Sequence, residues 1–312
     1  MSAPAIETRG LRKVYGGHVA VDGLDLRIDP GTVFGLLGPN GSGKTTTILM
    51  VLGLTEVASG SVRVGGYDPV RQPLEVKRIV GYLPDMVGFY DDMTARENLR
   101  FTGKLAGLRG GDLELRMERM LERVRLDGVA NDRVKTFSRG MRQRLGLAEV
   151  LLKGPRIVIL DEPTNGLDPQ ATHEFLDMIR ELKEEELTVL LSSHQLERVE
   201  AVCDRVGLFH RGRMVLEGTV EDLARQVMAG GYSIDVEARG DGVVPAFRTI
   251  PGVNRVEETG RETYRLHADT DVRNDVVQAV LSADAALLGM SMERPSLDKI
   301  YTRYFEEARD AA

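Results

Sequence analysis

Apolar and polar positions follow two different periods along the chain, and these periods predict its secondary structure. Residues 4–28 alternate between apolar and polar, which predicts two short strands joined by a turn at Gly16–Gly17. Apolar runs at 32–37 and 156–160 predict buried strands, because a strand covered on both faces has no polar side. Helical spacing predicts a helix from Thr45 to about Gly53 and a mostly helical stretch over 94–152.

The second half of the chain adds further elements and then changes its pattern. Before Gly230–Gly231, the sequence predicts helices over 170–186 and 195–203, and strands over 187–192 and 205–210. Strands that alternate with helices indicate a largely parallel sheet covered on both faces. After the double glycine it predicts strands over 232–238, 253–258, 263–268 and 286–294, and helices over 272–282 and from 296.

This pattern predicts two domains. We expect an α/β domain over residues 1–230, whose helical subdomain covers about 86–152, and a small accessory α+β domain over 231–312. The helical subdomain is predicted to open with a capping box, in which Thr94 and Glu97 each satisfy the backbone N–H of the other.

Charge and composition exclude several classes of protein. The 312 residues include 48 acidic and 41 basic side chains, a net charge of −7. Residues 1–231 carry 31 basic and 33 acidic side chains and residues 232–312 carry 10 and 15, so neither part has the basic excess that nucleic acid requires. No apolar run approaches the ~20 residues that span a bilayer, and no export signal opens the sequence. The single cysteine, Cys203, cannot form an internal disulfide. We therefore expect a cytoplasmic protein without a nucleic acid partner, which acts at a membrane only through another protein.

A phosphate-binding motif lies between a predicted strand and a predicted helix. The match to G-x-x-x-x-G-K-[ST] consists of Gly38, Pro39, Asn40, Gly41, Ser42, Gly43, Lys44 and Thr45. Glycines let backbone N–H groups turn towards phosphate oxygens, and the helix N-terminus adds its positive end. We expect Lys44 to reach the β- and γ-phosphates of ATP, Thr45 to ligate Mg²⁺, and Thr46 to lie beside the nucleotide.

A second acidic motif follows the apolar run at 156–160. Asp161 comes at the carboxyl end of this predicted strand, where parallel sheets place their ligands. We expect Asp161 to hold Mg²⁺, and Glu162 to act as the base for an attacking water.

With these motifs, residues 5–222 resemble the ATP-binding-cassette (ABC) ATPases. Residues 137–141 resemble the family's signature peptide, and the residues that the resemblance assigns to it are Ser138, Arg139, Gly140 and Met141. Residues 165–168 match the D-loop, which ends at Asp168, and residues 192–194 match the strand end that carries the switch histidine, His194. Tyr15 lies where the family places an aromatic ring under adenine. These elements occur in family order and spacing.

The sequence departs from the family pattern at three places. Arg139 and Met141 replace the common Gly and Gln of the signature, a variant that resembles the ATPases of ABC-2 type exporters. Asp85 stands at the usual Gln or Glu of the Q-loop; an aspartate is shorter, so we expect it to reach the metal through a bridging water. The accessory domain is too short to resemble the regulatory domain of sugar importers.

The resemblance implies a P-loop ATPase fold with ATP and Mg²⁺ as ligands, and a role as the ATP-hydrolysing subunit of an exporter. It implies a homodimer with ATP between the phosphate loop of one copy and Ser138–Gly140 of the other. It also implies a separate ABC-2 type permease that holds the subunit at the cytoplasmic face of the membrane. Two alternatives stay open, a soluble ABC ATPase and a nucleotide sensor uncoupled from transport. The sequence does not identify the cargo.

Overall fold

The computed structural model describes residues 3–227, 232–240, 242–293 and 296–310. In chain order, the elements up to residue 152 are β1 (Ile6–Tyr15), β2 (His18–Ile28), β3 (Val33–Leu37), α1 (Lys44–Val51), β4 (Ser59–Val64), α2 (Pro73–Ile79), β5 (Val80–Leu83), α3 (Ala95–Leu105), α4 (Gly110–Arg123) and α5 (Arg139–Leu152). They are followed by β6 (Ile157–Asp161), α6 (Pro169–Glu184), β7 (Thr188–Ser193), α7 (Leu196–Glu200), β8 (Arg205–His210) and β9 (Arg213–Gly218).

A six-stranded sheet in the order β5-β6-β7-β3-β8-β9 forms the centre of this part of the chain. Its first five strands run parallel, as the alternation of strands and helices predicts. Strands β3, β6 and β7 are buried at every position, which explains the apolar runs in each of them, VFGLL, IVIL and VLL. In register, Leu37 pairs with Ser193 and Asp161 with Ser192. The carboxyl ends of β3, β6 and β7 therefore meet at one edge of the sheet.

The two N-terminal strands belong to a separate antiparallel sheet, in the order β2-β1-β4. Its inward side chains, such as Ile6 and Val62, share one hydrophobic core with Phe34 of β3, Ile48 of α1 and Ile159 of β6. Helix α1 is thereby fixed between two sheets, and its first residues lie at the edge where the parallel strands end.

The helical subdomain consists of α3, α4 and α5, which pack on one another through buried residues such as Leu99, Leu113 and Leu145. The predicted capping box is confirmed: the Thr94 hydroxyl accepts from the Glu97 N–H at 3.1 Å, and the Glu97 carboxylate accepts from the Thr94 N–H at 2.8 Å. Across the described residues, every helix is too short or too polar to cross a membrane.

The last elements are α8 (Val220–Val227), β10 (Tyr232–Arg239), α9 (Val243–Arg248), β11 (Val253–Gly260), β12 (Thr263–Ala268), α10 (Arg273–Ser282), β13 (Ala286–Glu293) and α11 (Leu297–Asp310). From β10 to β13 they form a β-α-β-β-α-β unit whose antiparallel sheet has the order β11-β12-β10-β13. Its core includes Ile234, Phe247, Leu266 and Val276. The four strands lie where the sequence predicts them, and α9 is an addition.

The structure places the boundary between its two compact units earlier than the sequence does. The first unit ends at Leu216 and the second begins at Glu217, because α8 packs against the terminal helix α11. The double glycine Gly230–Gly231, and Arg294 at the end of the last predicted strand, lie outside the described residues.

Candidate active site

Two positions in the loop between β3 and α1 have a backbone conformation and surroundings that only glycine can accommodate. Gly38 has φ +149°, and a Cβ there would lie 2.3 Å from the carbonyl oxygen of Phe209. Gly43 is the N-cap of α1 with φ +113°, and a Cβ there would lie 2.5 Å from the carbonyl oxygen of Ala20. The loop can therefore close tightly over the start of α1 and point backbone N–H groups into the space above it.

Lys44, the first residue of α1, is 4% exposed and turns back onto this loop. Its Nζ donates to the carbonyl oxygens of Gly38 (2.7 Å) and Pro39 (3.2 Å). Nζ also forms an ion pair with the Glu162 carboxylate, with 3.2 Å between Nζ and Oε1. An ammonium held in this way offers a fixed positive charge to any anion that enters the site.

Asp161 and Thr45 provide a pair of oxygen ligands beside this charge. The Thr45 hydroxyl donates to the Asp161 carboxylate at 3.3 Å across the gap between α1 and β6. The same carboxylate oxygen accepts from the hydroxyl of Ser192, on the neighbouring strand β7. Only 4% of Asp161 is exposed. The described residues contain no cluster of three acidic, histidine or cysteine side chains that could bind a metal by themselves. Mg²⁺ fits this pair, because it needs only one or two protein oxygens when phosphate and water complete its shell.

Glu162 is held in a strained backbone conformation next to Asp161. Its φ of +49° is unusual for a residue with a side chain, and such strain often marks functional sites. The Glu162 N–H donates to the hydroxyl of Ser192 (3.0 Å). On the carboxylate, Oε2 lies 2.7 Å from Nδ1 of His194 and accepts from the His194 N–H at 3.2 Å. The carboxylate therefore joins Lys44 to His194.

Lys44, Thr45, Asp161 and Glu162 line one cavity of about 480 Å³. Its walls also include Tyr15, His18, Ala20, Asn40, Gly41, Gly43, Thr46, Asp85 and Asn165. Tyr15 ends β1 at the rim, and the residue is 46% exposed. Lys13 Nζ lies 4.7 Å from the ring centroid. The cavity thus has an aromatic ring at one end and cationic and acidic groups at the other.

The residues of the proposed signature do not line this cavity. Ser138 is the N-cap of α5, and its hydroxyl accepts from the Met141 N–H at 3.2 Å. Gly140 packs against α6, where a Cβ would lie 3.0 Å from Cβ of Ala171. Asp168 caps α6 by accepting from the Ala171 N–H at 2.8 Å. Arg139 alone reaches towards the cavity, through Asp85.

The sequence-based prediction assigns no individual role to two polar residues of the cavity wall, His18 and Asn165, or to Tyr82, which lies near Asp161 and Asp85. His18 lines the cavity, and Asn165 donates to the Asp85 carboxylate at 3.1 Å. Tyr82, on β5, is half-buried; burial, followed by the charges of Asp161 and Asp85, raises its pKa to about 12, so its hydroxyl stays protonated. Of the three, only Asn165 lies within a recognised motif, the D-loop.

Comparisons with known proteins agree with this geometry. Residues 21–165 match the family model described as ABC transporter. The chain is 34% identical over 307 residues to the linearmycin resistance ATP-binding protein LnrL of Bacillus subtilis, which covers 95% of this chain and 96% of that protein. It is 35% identical over 308 residues to the daunorubicin resistance ATP-binding protein DrrA3 of Streptomyces coeruleorubidus, covering 96% of both. A solved ATP-binding subunit of an ABC transporter, 32% identical, superposes with a TM-score of 0.65 over 71% of this chain and 92% of that one.

Proposed function

Because this chain belongs to the ABC transporter family, in which it is an ATP-binding and ATP-hydrolysing subunit, we propose that it drives export through a separate membrane permease. The observation that carries this proposal is the single cavity that joins the phosphate loop, the Thr45–Asp161 oxygen pair and Glu162. The presence of Glu162 and His194 in contact favours a hydrolysing subunit over a nucleotide sensor.

In this proposal ATP lies with its adenine at the rim of the cavity and its phosphates at the loop before α1. The exposed ring of Tyr15 offers a stacking surface for adenine at the rim, and the loop from Gly38 to Thr45 surrounds the phosphates. Mg²⁺ would be held by Thr45 and Asp161, where it neutralises charge on the phosphates. The γ-phosphate would approach Lys44, and there it must displace the Glu162 carboxylate from the ammonium.

This displacement prepares Glu162 for its role as the general base. Once its contact with Lys44 is released, the carboxylate can accept the proton of a water that attacks the γ-phosphate. His194 remains in hydrogen-bonding reach and can hold the carboxylate in place. Lys44 stabilises the negative charge of the transferred phosphoryl group.

A homodimer completes the site in this proposal. The first N–H groups of α5 have no acceptor within their own helix, so Ser138–Gly140 can form an anion site, and none of these three residues lines the cavity of its own chain. A second copy in a head-to-tail arrangement would bring this helix end to the γ-phosphate. ATP binding would then close the dimer, and hydrolysis would open it.

An apolar surface on the helical subdomain supports a permease partner. Met86, Tyr90, Phe101 and Leu105 are all exposed, and the rings of Tyr90 and Phe101 meet edge to face at 5.1 Å. The buried Asn98 fixes the Tyr90 backbone from both sides, as it accepts from the Tyr90 N–H (2.9 Å) and donates to the Tyr90 carbonyl (3.1 Å). A rigid exposed apolar surface is typical of a protein-binding site. A permease docked there would hold the subunit at the cytoplasmic face of the membrane.

The names of both relatives refer to drug resistance, which supports export as the direction of transport. The test is an efflux assay in the host strain without this gene, loaded with a panel of fluorescent drugs. Wild-type protein should restore efflux of at least one compound, and Lys44→Ala, expressed at the same level, should restore none. Equal efflux with both proteins would contradict the proposal.

Tyr15→Ala should weaken ATP binding by roughly 1–3 kcal/mol, the range for stacking of a base on an aromatic ring. The preference for ATP over AMP should persist, because the phosphate loop is unchanged. Calorimetric titration measures both quantities, and Tyr15→Phe is the matched control that keeps the ring. An unchanged affinity in Tyr15→Ala would mean that adenine binds elsewhere.

Truncation after Gly218 should leave ATP binding measurable, because every cavity residue precedes this point. The cut keeps β9 complete and removes α8 together with its packing partner α11. Titration of the truncated protein with ATP, after its fold is checked by circular dichroism, tests this prediction. A folded fragment that binds no ATP would show that the accessory domain takes part in nucleotide binding.

A further inference from the structure

Two of the residues that depart from the family's motifs contact each other. Arg139, in the signature, places Nη2 at 3.6 Å from Oδ1 of Asp85, which occupies the Q-loop position. The same Oδ1 accepts from Nδ2 of Asn165, in the D-loop, at 3.1 Å. The Asp85 carboxylate therefore links the start of α5 to the D-loop of the same chain, and both Asp85 and Asn165 line the nucleotide cavity.

A glycine lets the guanidinium reach this position. Gly166 has φ +68°, and a Cβ there would lie 2.7 Å from Cζ of Arg139. The guanidinium thus lies directly on the backbone of the D-loop, where any larger residue would push it away. The guanidinium therefore contacts the D-loop and Asp85 together, although 53% of the Arg139 side chain is exposed.

We propose that Arg139 is a positioning residue for its own chain's nucleotide site: it holds the Asp85 carboxylate at the cavity wall and neutralises its charge. This role is separate from the contact that a signature residue is expected to make across the dimer. It rests on one part of the proposed function, namely that the cavity binds a nucleotide together with Mg²⁺.

Because Asp85 is negatively charged, this role predicts in which direction the Mg²⁺ dependence of ADP binding will change when Arg139 is replaced. An aspartate without its guanidinium adds a full negative charge to the cavity wall, which repels the phosphates of ADP and attracts Mg²⁺. Arg139→Gln should therefore increase the factor by which Mg²⁺ strengthens ADP binding. Because the pair is partly exposed, the increase should be about two- to fivefold.

The experiment measures the ADP affinity of the full chain with Mg²⁺ and with EDTA, and the ratio of the two affinities is the Mg²⁺ factor. Arg139→Gln is tested both in the wild-type protein and in Asp85→Asn. ADP is the probe because it lacks the γ-phosphate that a second copy would contact, and light scattering confirms that the protein is monomeric. The Mg²⁺ factor should rise about two- to fivefold in the wild-type background and change by less than about 1.5-fold in Asp85→Asn.

Two control variants separate this role from a general charge effect. Arg142→Gln removes a positive charge one helical turn away, where Arg142 pairs with Asp91 at 2.8 Å instead, and should leave the Mg²⁺ factor unchanged. Arg139→Lys keeps the charge and should retain most of the wild-type behaviour. Thermal melts of all variants check the fold.

Two outcomes would overturn the inference. No effect of Arg139→Gln on the monomer would mean that Arg139 does not act on the nucleotide site of its own chain, and an equal effect in both backgrounds would mean that it does not act through Asp85. Failure of the wild-type chain to bind ADP at all would instead contradict the proposed function.

Discussion

Glu162→Gln is expected to lower ATP turnover by two or more orders of magnitude, the usual size of the loss when a general base is removed. Glutamine keeps the shape of the side chain and its reach to His194, but it cannot take the proton of the attacking water. The contacts of the phosphate loop are unchanged, so ATP should still bind. Because glutamine no longer pairs with Lys44, the γ-phosphate also meets less competition for the ammonium.

The variant should therefore accumulate as an ATP-bound dimer, which light scattering detects, while phosphate release measures turnover. Glu186→Gln is a matched control: Glu186 also has a positive φ (+59°), but it lies outside the nucleotide cavity, so its turnover should equal that of the wild type. Near-normal turnover in Glu162→Gln would place the base elsewhere, with His194 as the first residue to test.

The residues that the sequence places in the site are those whose chemistry acts over a few neighbouring positions. The spacing of glycines around Lys44 and Thr45, and of Asp161 and Glu162 after an apolar strand, identifies a phosphate site without knowledge of the rest of the fold. The contact between Arg139 and Asp85 could not be predicted in this way. It depends on how α5 packs beside the end of β5 and on the space above Gly166.

The fold shows the same division between local and long-range information. Strand β12 and the capping box at Thr94 lie where the pattern predicts them, because both depend on adjacent residues. Helix α9 is absent from the prediction because its short sequence contains a proline and two adjacent valines, which are typical of strands and loops. The domain boundary at Glu217 depends on packing between α8 and α11. These two helices are far apart in the sequence, because the strands β10 to β13 lie between them.

Lys44→Ala is expected to abolish ATP binding and, with it, the ATP-bound dimer that Glu162→Gln accumulates. Among the described residues that line the cavity, Lys44 is the only lysine or arginine, and its ammonium lies where the β- and γ-phosphates must pass. Titration with ATP and light scattering in the Glu162→Gln background measure the two effects. A dimer that still forms in Lys44→Ala, Glu162→Gln would mean that the signature helix, not the lysine, supplies most of the phosphate binding.

The same substitution should change stability in a way that identifies the ion pair. The Lys44 side chain is 4% exposed and that of Glu162 12%, so Lys44→Ala leaves a largely enclosed carboxylate without its lysine partner and should destabilise the protein by about 3 kcal/mol in urea unfolding. Adding Glu162→Gln removes that unpaired charge, and the double variant should regain at least about 1 kcal/mol although it binds no ATP. Lys153→Ala is the matched control, because Lys153 is half-buried and donates to the carbonyl of Lys77 (2.9 Å), with no carboxylate partner among the described residues. Its cost should be the same with or without Glu162→Gln. If the costs of Lys44→Ala and Glu162→Gln simply add, the two side chains are not coupled, and Glu162 does not compete with phosphate for the lysine.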